Sequence, residues 1–234
     1  MLANIIRNAK KATSSGAVSL LLHMDGTDGS TSIVDSGPNA LTVTRVGTPT
    51  ISTAQSQFGG ASLNLPGSSY LTVPNSAVSG LNATNWTIET WIYMSAIPSI
   101  ASIVGCSNGS GGVPKFFMNL NMSTSFVAQS NRVGFHLYNG GDRWINAAYT
   151  WATNTWYHIA AVQNGSSVTL YVNGQSVGSM AFTIASGITG NFRIGTDGET
   201  YKILVGRMDE LRVTKGLARY TTNFTPPTAA FPDL

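Results

Sequence analysis

The sequence predicts an all-β fold, a two-sheet antiparallel β-sandwich that follows a short N-terminal arm. Charged residues make up 10% of the chain, against about a quarter in typical globular domains, and Ser, Thr, Asn and Gly replace them. Apolar residues recur in many short alternating segments that Gly, Ser and Asn clusters separate, a pattern typical of sandwiches and jelly rolls. Long runs rich in Ala, Leu, Glu and Lys are missing, which argues against a helical fold.

The first residues differ from the rest of the chain in period and in charge. Apolar residues fall at helical spacing with basic residues opposite, and the candidate docking residues are Leu2, Ile5, Ile6, Arg7, Lys10 and Lys11. The net charge of +3 arises here, so residues 18–234 are neutral overall and predict no nucleic-acid partner. We expect residues 1–17 to form a docking arm that orders on a partner or on its own copies; a frayed terminus is the alternative.

From Val18 onward the hydrophobic period is that of strands. The segment Trp86–Tyr93 is apolar on both faces, which predicts a central strand covered on both sides. Glu89 lies within it, and we expect it to pair with an arginine from a neighbouring strand. The other strands outside the meander described next are predicted at residues 20–24, 62–65, 70–73, 100–105, 115–120, 132–138, 144–150, 192–195 and 206–213.

Two Asn-Gly dipeptides give the clearest local prediction. Asn164-Gly165 and Asn173-Gly174 each follow a short apolar segment. Asn-Gly supplies the positive φ angles that tight type I′ turns require. The spacing therefore predicts a three-stranded antiparallel meander over residues 156–163, 167–172 and 175–180.

Cysteine content and hydropathy limit the cellular context. Cys106 is the single cysteine, so no internal disulfide framework exists, and we expect it to be buried and inert. No run reaches the roughly 18 apolar residues of a membrane span, and no secretion signal is recognisable. We therefore expect a protein made in the cytoplasm of its host cell, with no membrane partner.

Nine short segments, in this order, resemble the laminin-G-like, concanavalin A-like jelly-roll domains found in phage virion proteins. They cover residues 20 to 231, nearly all of the chain after the arm. They are Leu22-His23-Met24-Asp25-Gly26, Val34-Asp35-Ser36-Gly37, residues 58–63, residues 86–92, residues 156–160, Leu170-Tyr171-Val172-Asn173-Gly174, Arg193-Ile194-Gly195, residues 206–213, and Ala218-Arg219-Tyr220-Thr221 followed by Phe224-Thr225-Pro226-Pro227.

The resemblance implies two curved antiparallel sheets in which the first and last strands pair. It also favours a non-enzymatic virion surface protein, a capsid decoration, fibre or tail-associated module that docks through its arm onto capsid or tail proteins. Such proteins are commonly oligomers, and a trimer is favoured. The alternative is a carbohydrate-binding adhesin for host surface glycans, and a glycan-cleaving enzyme is the third and least supported hypothesis.

A structural calcium ion is a further implication of the resemblance, because relatives carry one between the first and last strands. The candidate ligands are Asp25, Asp28 and Asp209, since carboxylates in oxygen-rich turns suit this hard cation. Turn-forming aspartates, and an ion pair of Asp209 with Arg207 or Arg212, are the alternative.

Carbohydrate binding requires exposed aromatic rings beside polar groups. The segment around the loop 139–142 fits best, and its candidate residues are Tyr138, Asp142, Arg143 and Trp144. Packing in the core is the favoured explanation of Tyr138 and Trp144, and Trp86, Trp91 and Trp156 are expected in the core.

Catalysis and a histidine metal site find no support in the residue pattern. Glycanases need two carboxylates about 5 to 10 Å apart, yet Asp209 and Glu210 are adjacent and are expected to point to opposite faces of a strand. Asp197 and Glu199 have a suitable spacing but lie in a Gly-rich turn. The histidines are spread over distant strands without zinc spacing, so they are expected to be structural. We predict that the protein is not an enzyme.

Overall fold

Alternation of apolar and polar residues builds the strands of this protein as the sequence predicts. The computed structural model describes residues 17–81, 85–107, 115–138, 140–181, 188–197 and 202–233. The predicted docking residues Leu2, Ile5, Ile6, Arg7, Lys10 and Lys11 lie outside the described residues, so the arm stays a prediction. The described strands are Ala17–Leu22 (β1), Thr44–Val46 (β2), Thr50–Ser52 (β3), Ser62–Leu65 (β4), Tyr70–Val73 (β5), Trp86–Tyr93 (β6), Ala101–Ser107 (β7), Lys115–Met122 (β8), Ala128–Tyr138 (β9), Asp142–Ala148 (β10), Trp156–Asn164 (β11), Ser167–Val172 (β12), Gln175–Ala181 (β13), Phe192–Ile194 (β14) and Gly206–Lys215 (β15).

The strands form two antiparallel sheets that pack face to face. Sheet 1 has the order β13-β12-β11-β6-β15-β4-β3, and β1 pairs with β15 beside it. Sheet 2 has the order β10-β9-β8-β7-β14-β5-β2. The pairing of β1 with β15 joins the first and last strands, and the architecture is the predicted two-sheet sandwich of the concanavalin A-like kind.

The hairpin turns confirm the predicted meander, but the register of the first hairpin differs by one residue from the prediction. Val172 pairs with Gln175, and both turn residues between them, Asn173 and Gly174, have positive φ, as a type I′ turn requires. In the preceding hairpin Asn164 itself pairs with Ser167. The turn is therefore centred one residue later than the Asn-Gly dipeptide predicts, and strand β11 is one residue longer.

The core lies between the sheets and is built from aliphatic and aromatic side chains. Trp86 contributes from sheet 1, and its ring centroid lies 5.8 Å from that of Phe135 on sheet 2. Cys106 also belongs to this core, and its Sγ donates a hydrogen bond to the carbonyl oxygen of Gly190 over 2.9 Å. Burial raises the pKa of this thiol to about 12, so it is protonated and unreactive, as predicted. Helices long and apolar enough to span a bilayer do not occur among the described residues.

The C-terminal segment, residues 216–233, lies across the outer face of sheet 1. Tyr220 and Phe224 stack with centroids 3.5 Å apart, and Phe224 N donates to the carbonyl oxygen of Gly174 over 2.9 Å. A Cβ at position 174 would collide with that same Phe224 carbonyl, so glycine serves both the turn and this contact. Phe231 packs against Val18 and Leu21 on β1. The chain therefore covers its own central strands, as the two apolar faces of β6 predict.

A buried carboxylate holds this segment in place. Glu89 is fully buried, and its Oε1 accepts hydrogen bonds from Nε and Nη2 of Arg212 at 2.9 and 2.7 Å. Its Oε2 accepts from the Tyr220 hydroxyl at 2.7 Å and lies 3.2 Å from Nε2 of His158. Burial by itself would raise the pKa of Glu89, but the hydrogen bond with His158 and the charge of Arg212 outweigh it and lower the pKa to about 2. The expected arginine partner is confirmed.

Replacing this carboxylate tests its contribution to stability. We expect Glu89→Gln to lower the free energy of unfolding at pH 7 by about 3–5 kcal/mol, because Arg212 loses its counter-charge in a buried site. The lowered pKa means that Glu89 stabilises the fold fully above its ordinary pKa of 4.5 and loses this effect as pH falls towards 2. The stability difference between wild type and variant, measured by chemical denaturation, should therefore narrow between pH 5 and pH 2.

Asp233→Asn is the matched control, because its carboxylate is 82% exposed and pairs, among the described residues, only with His23 over 3.0 Å, so its loss should change the unfolding free energy by at most about 1 kcal/mol. A pH-independent difference for Glu89→Gln would contradict the assignment.

Candidate functional site

Three rows of side chains cross the outer face of sheet 2, perpendicular to its strands. Intervening residues on the same strands, such as Met118 and Phe135, point into the core, so the row residues point outward. Strand pairing defines each row. The edge row is Ser107, Lys115, Tyr138 and Asp142; the aromatic row is Gly105, Phe117, His136 and Trp144; the polar row is Ser102, Asn119, Gly134 and Asn146.

The aromatic row forms a contiguous cluster of rings, in which Phe117 and His136 are buried. Trp144 lies directly opposite His136 across the β9–β10 pair, with ring centroids 4.2 Å apart. Phe117 lies 4.6 Å from His136 on its other side. Phe126, from the turn before β9, packs edge-on against Trp144 at 4.9 Å. Trp144 is half-buried, so it presents part of its ring at the surface of this cluster.

His136 is a neutral, fixed member of the row. It is fully buried, and its Nε2 lies 2.7 Å from Oδ1 of Asp142. A carboxylate only accepts hydrogen bonds, so Nε2 carries the proton and Nδ1 is an acceptor; in the structure Nδ1 has no hydrogen-bond partner. Burial lowers the pKa of His136 to about 4, although the hydrogen bond with Asp142 opposes the shift. The imidazole is therefore uncharged at neutral pH.

The polar row contains buried groups whose hydrogen bonds are not made within the protein. Asn119 is fully buried, and neither its Oδ1 nor its Nδ2 has a partner; the hydroxyl of Ser102, directly opposite on β7, has none either. Gly134 leaves room for the Asn119 amide, since a Cβ there would come within 2.8 Å of its Oδ1. Buried polar groups are normally paired, with water or ligand where the protein supplies nothing.

Two lysines place positive charge beside the aromatic row. The ammonium of Lys202 lies 5.1 Å from the Phe126 centroid and 5.7 Å from that of Phe117, and Lys115 lies 5.8 Å from Phe126. These distances are within the range of cation–π attraction. Lys202 also forms an ion pair with Asp197 over 3.7 Å. The surface thus combines rings, cations and unsatisfied polar groups.

The structure brings together three of the four predicted carbohydrate-binding residues. Tyr138, Asp142 and Trp144 share the outer face, because Asp142 pairs with Tyr138 and Trp144 with His136. Arg143 pairs with Leu137, a core residue, and therefore projects from the opposite face. Because neighbouring residues of a strand point to opposite faces, the position of Arg143 next to Trp144 was sufficient to exclude Arg143 from the predicted site.

Sequence reasoning missed Phe117, Phe126 and Asn119. Alternation within residues 115–122 was the available signal for Phe117 and Asn119, although Phe116 beside Phe117 disguises which ring is internal. Phe126 lies in a turn with φ +62°, and no sequence pattern marks its contact with Trp144.

A β-bulge in β15 corrects the prediction that Asp209 and Glu210 point to opposite faces. The register shifts between Asp209 and Arg212, and the flanking Met208 and Leu211 both belong to the core. The extra residue of the bulge therefore leaves both carboxylates on the outer side. Glu210 accepts from Phe231 N and lies 2.7 Å from Nδ1 of His23.

Asp209 is a buried carboxylate that is only half satisfied. Its Oδ2 accepts from the backbone N–H groups of Gln57 and Phe58 at 2.7 and 3.1 Å, whereas Oδ1 has no partner. Burial raises its pKa to about 7; the two backbone hydrogen bonds oppose the rise, and the charges of Glu210 and Asp25 add to it. Asp25 is therefore a close electrostatic neighbour. A carboxylate oxygen without a partner, in the field of two other carboxylates, fits a hard cation chemically.

Asp28 does not join that pair. Its Oδ1 accepts a hydrogen bond from the backbone N–H of Thr53 over 3.0 Å, which matches the alternative of a turn-forming aspartate. No group of three or more His, Cys, Asp or Glu side chains in the described ranges converges as a metal site. The calcium ion therefore stays a prediction that depends on Asp25 and Asp209.

The described acids on the outer face of sheet 2 belong to strands that are not neighbours, and Glu199 lies outside the described residues. Asp142 belongs to β10, while Asp197 packs over Gly105 on β7. Three strand spacings of about 4.8 Å, about 14 Å in all, separate the backbones of these two strands. Each acid is also paired, with His136 and Lys202 respectively. Both described acids on this face therefore have partners within the protein.

Several solved structures share the fold at low sequence identity. Domain 4 of AbnA, a GH43 extracellular arabinanase from Geobacillus stearothermophilus, in complex with arabinotriose, aligns with a TM-score of 0.64 and 18% identity, over 86% of this chain and 93% of that domain. The receptor binding domain of botulinum neurotoxin type G aligns with a TM-score of 0.59 and 14% identity over 86% of this chain. The binding domain of botulinum neurotoxin DC in complex with SialylT aligns with a TM-score of 0.59 and 15% identity. This chain spans about half the length of these toxin domains, 48% in each case.

Sequence comparison gives a family and no individual relative. A search of curated proteins finds no significant match. Residues 65–218 match the family described as the concanavalin A-like lectin/glucanases superfamily, a laminin-G-like group. This region runs from the end of β4 into the start of the C-terminal segment and contains all three rows of sheet 2. The chain belongs to the concanavalin A-like lectin/glucanase superfamily.

Proposed function

We propose that the protein is a non-catalytic carbohydrate-binding module, and that its glycan lies across the aromatic row of sheet 2. The observation that carries this proposal is the His136–Trp144 ring pair flanked by the edge row and the polar row. A sugar ring has an apolar face of C–H groups and a rim of hydroxyls. The apolar face suits contact with Trp144, and the rim suits hydrogen bonds to polar side chains on both sides, the usual division of labour in ligand sites.

The unsatisfied groups of the polar row support the same assignment. A buried amide without partners costs free energy of about 1–3 kcal/mol. Asn119 and Ser102 have no accessible surface, so a bound water between these groups and the ligand hydroxyls is the suitable partner. Related folds are compatible with this role, since one structural neighbour is a domain in complex with arabinotriose and another is a botulinum neurotoxin binding domain in complex with SialylT. The carboxylates on this face are separated and paired, which supports binding without cleavage.

Trp144→Ala tests the proposed site. A glycan array that includes arabino-oligosaccharides and sialylated glycans identifies a bound glycan, and titration calorimetry with that glycan gives the affinity. We expect Trp144→Ala to weaken binding by about tenfold or more, because aromatic anchors carry much of the binding energy.

Val34→Ala removes an exposed apolar side chain, 64% accessible, remote from the rows, and should leave affinity within about twofold. Array signals for the wild type at background level would eliminate the proposal, as would unchanged affinity of the folded Trp144→Ala variant. Turnover on the same glycan panel would eliminate its non-catalytic part.

We also propose, following the resemblance, that Asp25 and Asp209 hold a structural calcium ion between the first and last strands. Calcium would neutralise the mutual repulsion of these carboxylates and engage the unpaired Oδ1 of Asp209. Without calcium, Asp209→Asn should be at least as stable as wild type, because a repelled buried charge is removed while the backbone donors of residues 57 and 58 keep an acceptor.

With millimolar Ca²⁺, the melting temperature of wild type should rise by about 5 °C or more, and that of Asp209→Asn should not. Asp28→Asn should keep the full rise, and Mg²⁺ should not replace Ca²⁺. Equal responses of wild type and Asp209→Asn would remove the calcium assignment.

The biological setting that we propose is the surface of a phage virion, with residues 1–17 as the anchor on capsid or tail proteins and a trimer as the favoured assembly. The support is the cationic, helically spaced arm and the resemblance to virion domains. Deleting residues 1–16 should leave the thermal melt of the domain unchanged but remove the protein from purified particles. Particles that incorporate the truncated protein in normal amounts would show that the arm is not the anchor.

A further inference from the structure

A second polar and aromatic row crosses the outer face of sheet 1, at the end that the C-terminal segment leaves open. Strand pairing aligns Thr50, Asn64, Arg207, Tyr93 and Trp156 across β3, β4, β15, β6 and β11. Tyr93 and Trp156 pack with ring centroids 5.4 Å apart. Tyr93, Trp156 and Arg207 are half-buried, in contrast to the covered Glu89 on the same face.

A pocket of about 260 Å³ opens over this row. Its polar lining comes from Gln55, Asn64 and Ser95, and Arg207 supplies the charge. Val205, 52% exposed, adds an apolar wall. The volume is just below the ~300–1,000 Å³ of pockets for drug-sized ligands, which suits a single sugar unit.

Arg207 is a cation whose counter-charge is not supplied by the described residues. Hydrogen bonds and ion pairs involving its guanidinium are absent from the described part of the chain, and its Nη1 is buried without a partner. Arg212, the next arginine on the same strand, is by contrast held by Glu89. The lining residues of the pocket include no acid. A guanidinium with a free pair of donors selects planar, bidentate anions such as carboxylates.

We propose that this pocket is a second ligand site, which takes a sugar unit bearing a carboxylate, of the uronic or sialic acid class. The carboxylate pairs with Arg207, the hydroxyls of the sugar meet Gln55, Asn64 and Ser95, and its apolar face meets Tyr93 and Val205. The site lies on the opposite sheet from the aromatic row and does not depend on it. Two separate sites on one domain would let it bind an acidic polysaccharide at two positions.

The test compares two sugars that differ in one group. Methyl β-glucuronide carries the carboxylate and methyl β-glucoside lacks it, and NMR titration measures binding of each to the full chain. We expect the wild type to bind the glucuronide at least about tenfold more tightly, since charge-assisted pairs are the strong ones. Arg207→Gln should lose this preference, and Arg207→Lys should retain only part of it because lysine lacks the bidentate fork. Arg45→Gln, an arginine on sheet 2 whose Nε donates to the Pro49 carbonyl, should keep it.

Additional measurements distinguish a sugar site from a simple anion site and from the aromatic row. Sodium acetate and inorganic phosphate should bind more weakly than the glucuronide; equal or tighter binding would overturn the sugar assignment in favour of a simple anion site. Trp144→Ala should leave glucuronide binding intact, so failure of the aromatic-row proposal would not affect this one. Equal affinity of wild type for both sugars, or an unchanged preference in Arg207→Gln or Arg207→Lys, would overturn the proposal. A thermal melt of each variant establishes that it is folded.

Discussion

The buried carboxylate of Glu89 is the interaction on which the arrangement of this domain depends. A charge removed from water is tolerated only when it is paired and hydrogen-bonded, and the partners of Glu89 come from β15, β11 and the C-terminal segment. The hydrogen bonds of Glu89 are therefore complete only when the central strands are correctly paired and the C-terminal segment covers the outer face of sheet 1. The domain seals the middle of that face with its own chain, and two surfaces stay available to ligands: the outer face of sheet 2 and the end of sheet 1 at Arg207.

The bulge in β15 has a comparable influence at the edge of sheet 1. By placing Asp209 and Glu210 on one side, it concentrates negative charge where β1 ends and the C-terminal segment returns. Glu210 is balanced by His23: burial alone would lower the pKa of this histidine, but its hydrogen bonds to Glu210 and Asp233 outweigh burial and raise it. Asp209 has no such cation beside it among the described residues and relies on backbone N–H groups. The bulge thus places Glu210 where it binds His23 and the C-terminal segment, and it leaves Asp209 with one unpaired oxygen.

Sequence alone predicted the sandwich and most of its strands because alternation and turn chemistry are local. β2 and β3 were missed because each has three residues of which only one is apolar; β14, equally short, shows alternation because Phe192 and Ile194 flank Arg193. The bulge at Asp209 could not be predicted, because a single inserted residue changes the face to which the following side chains point without changing the composition of the strand. Trp91 and Trp156, expected in the core, lie on the outer face of sheet 1; Trp91 is covered there by Phe58 and His158. Hydrophobicity predicts burial, but it does not tell which of two faces provides it.

The candidate ligand groups differ from Glu89 and Arg212 in the hydrogen bonds that the protein supplies. Glu89 and Asn119 are both fully buried, yet every oxygen of Glu89 is engaged, whereas the amide of Asn119 has no partner in the described protein. Arg212 and Arg207 differ in the same way on one strand. A fold gains nothing from leaving such groups unpaired, because each costs free energy that the native state must recover. Their position beside partly exposed rings on two separate surfaces is the reason that we propose partners from outside the chain, with a sugar hydroxyl or carboxylate as the complementary group.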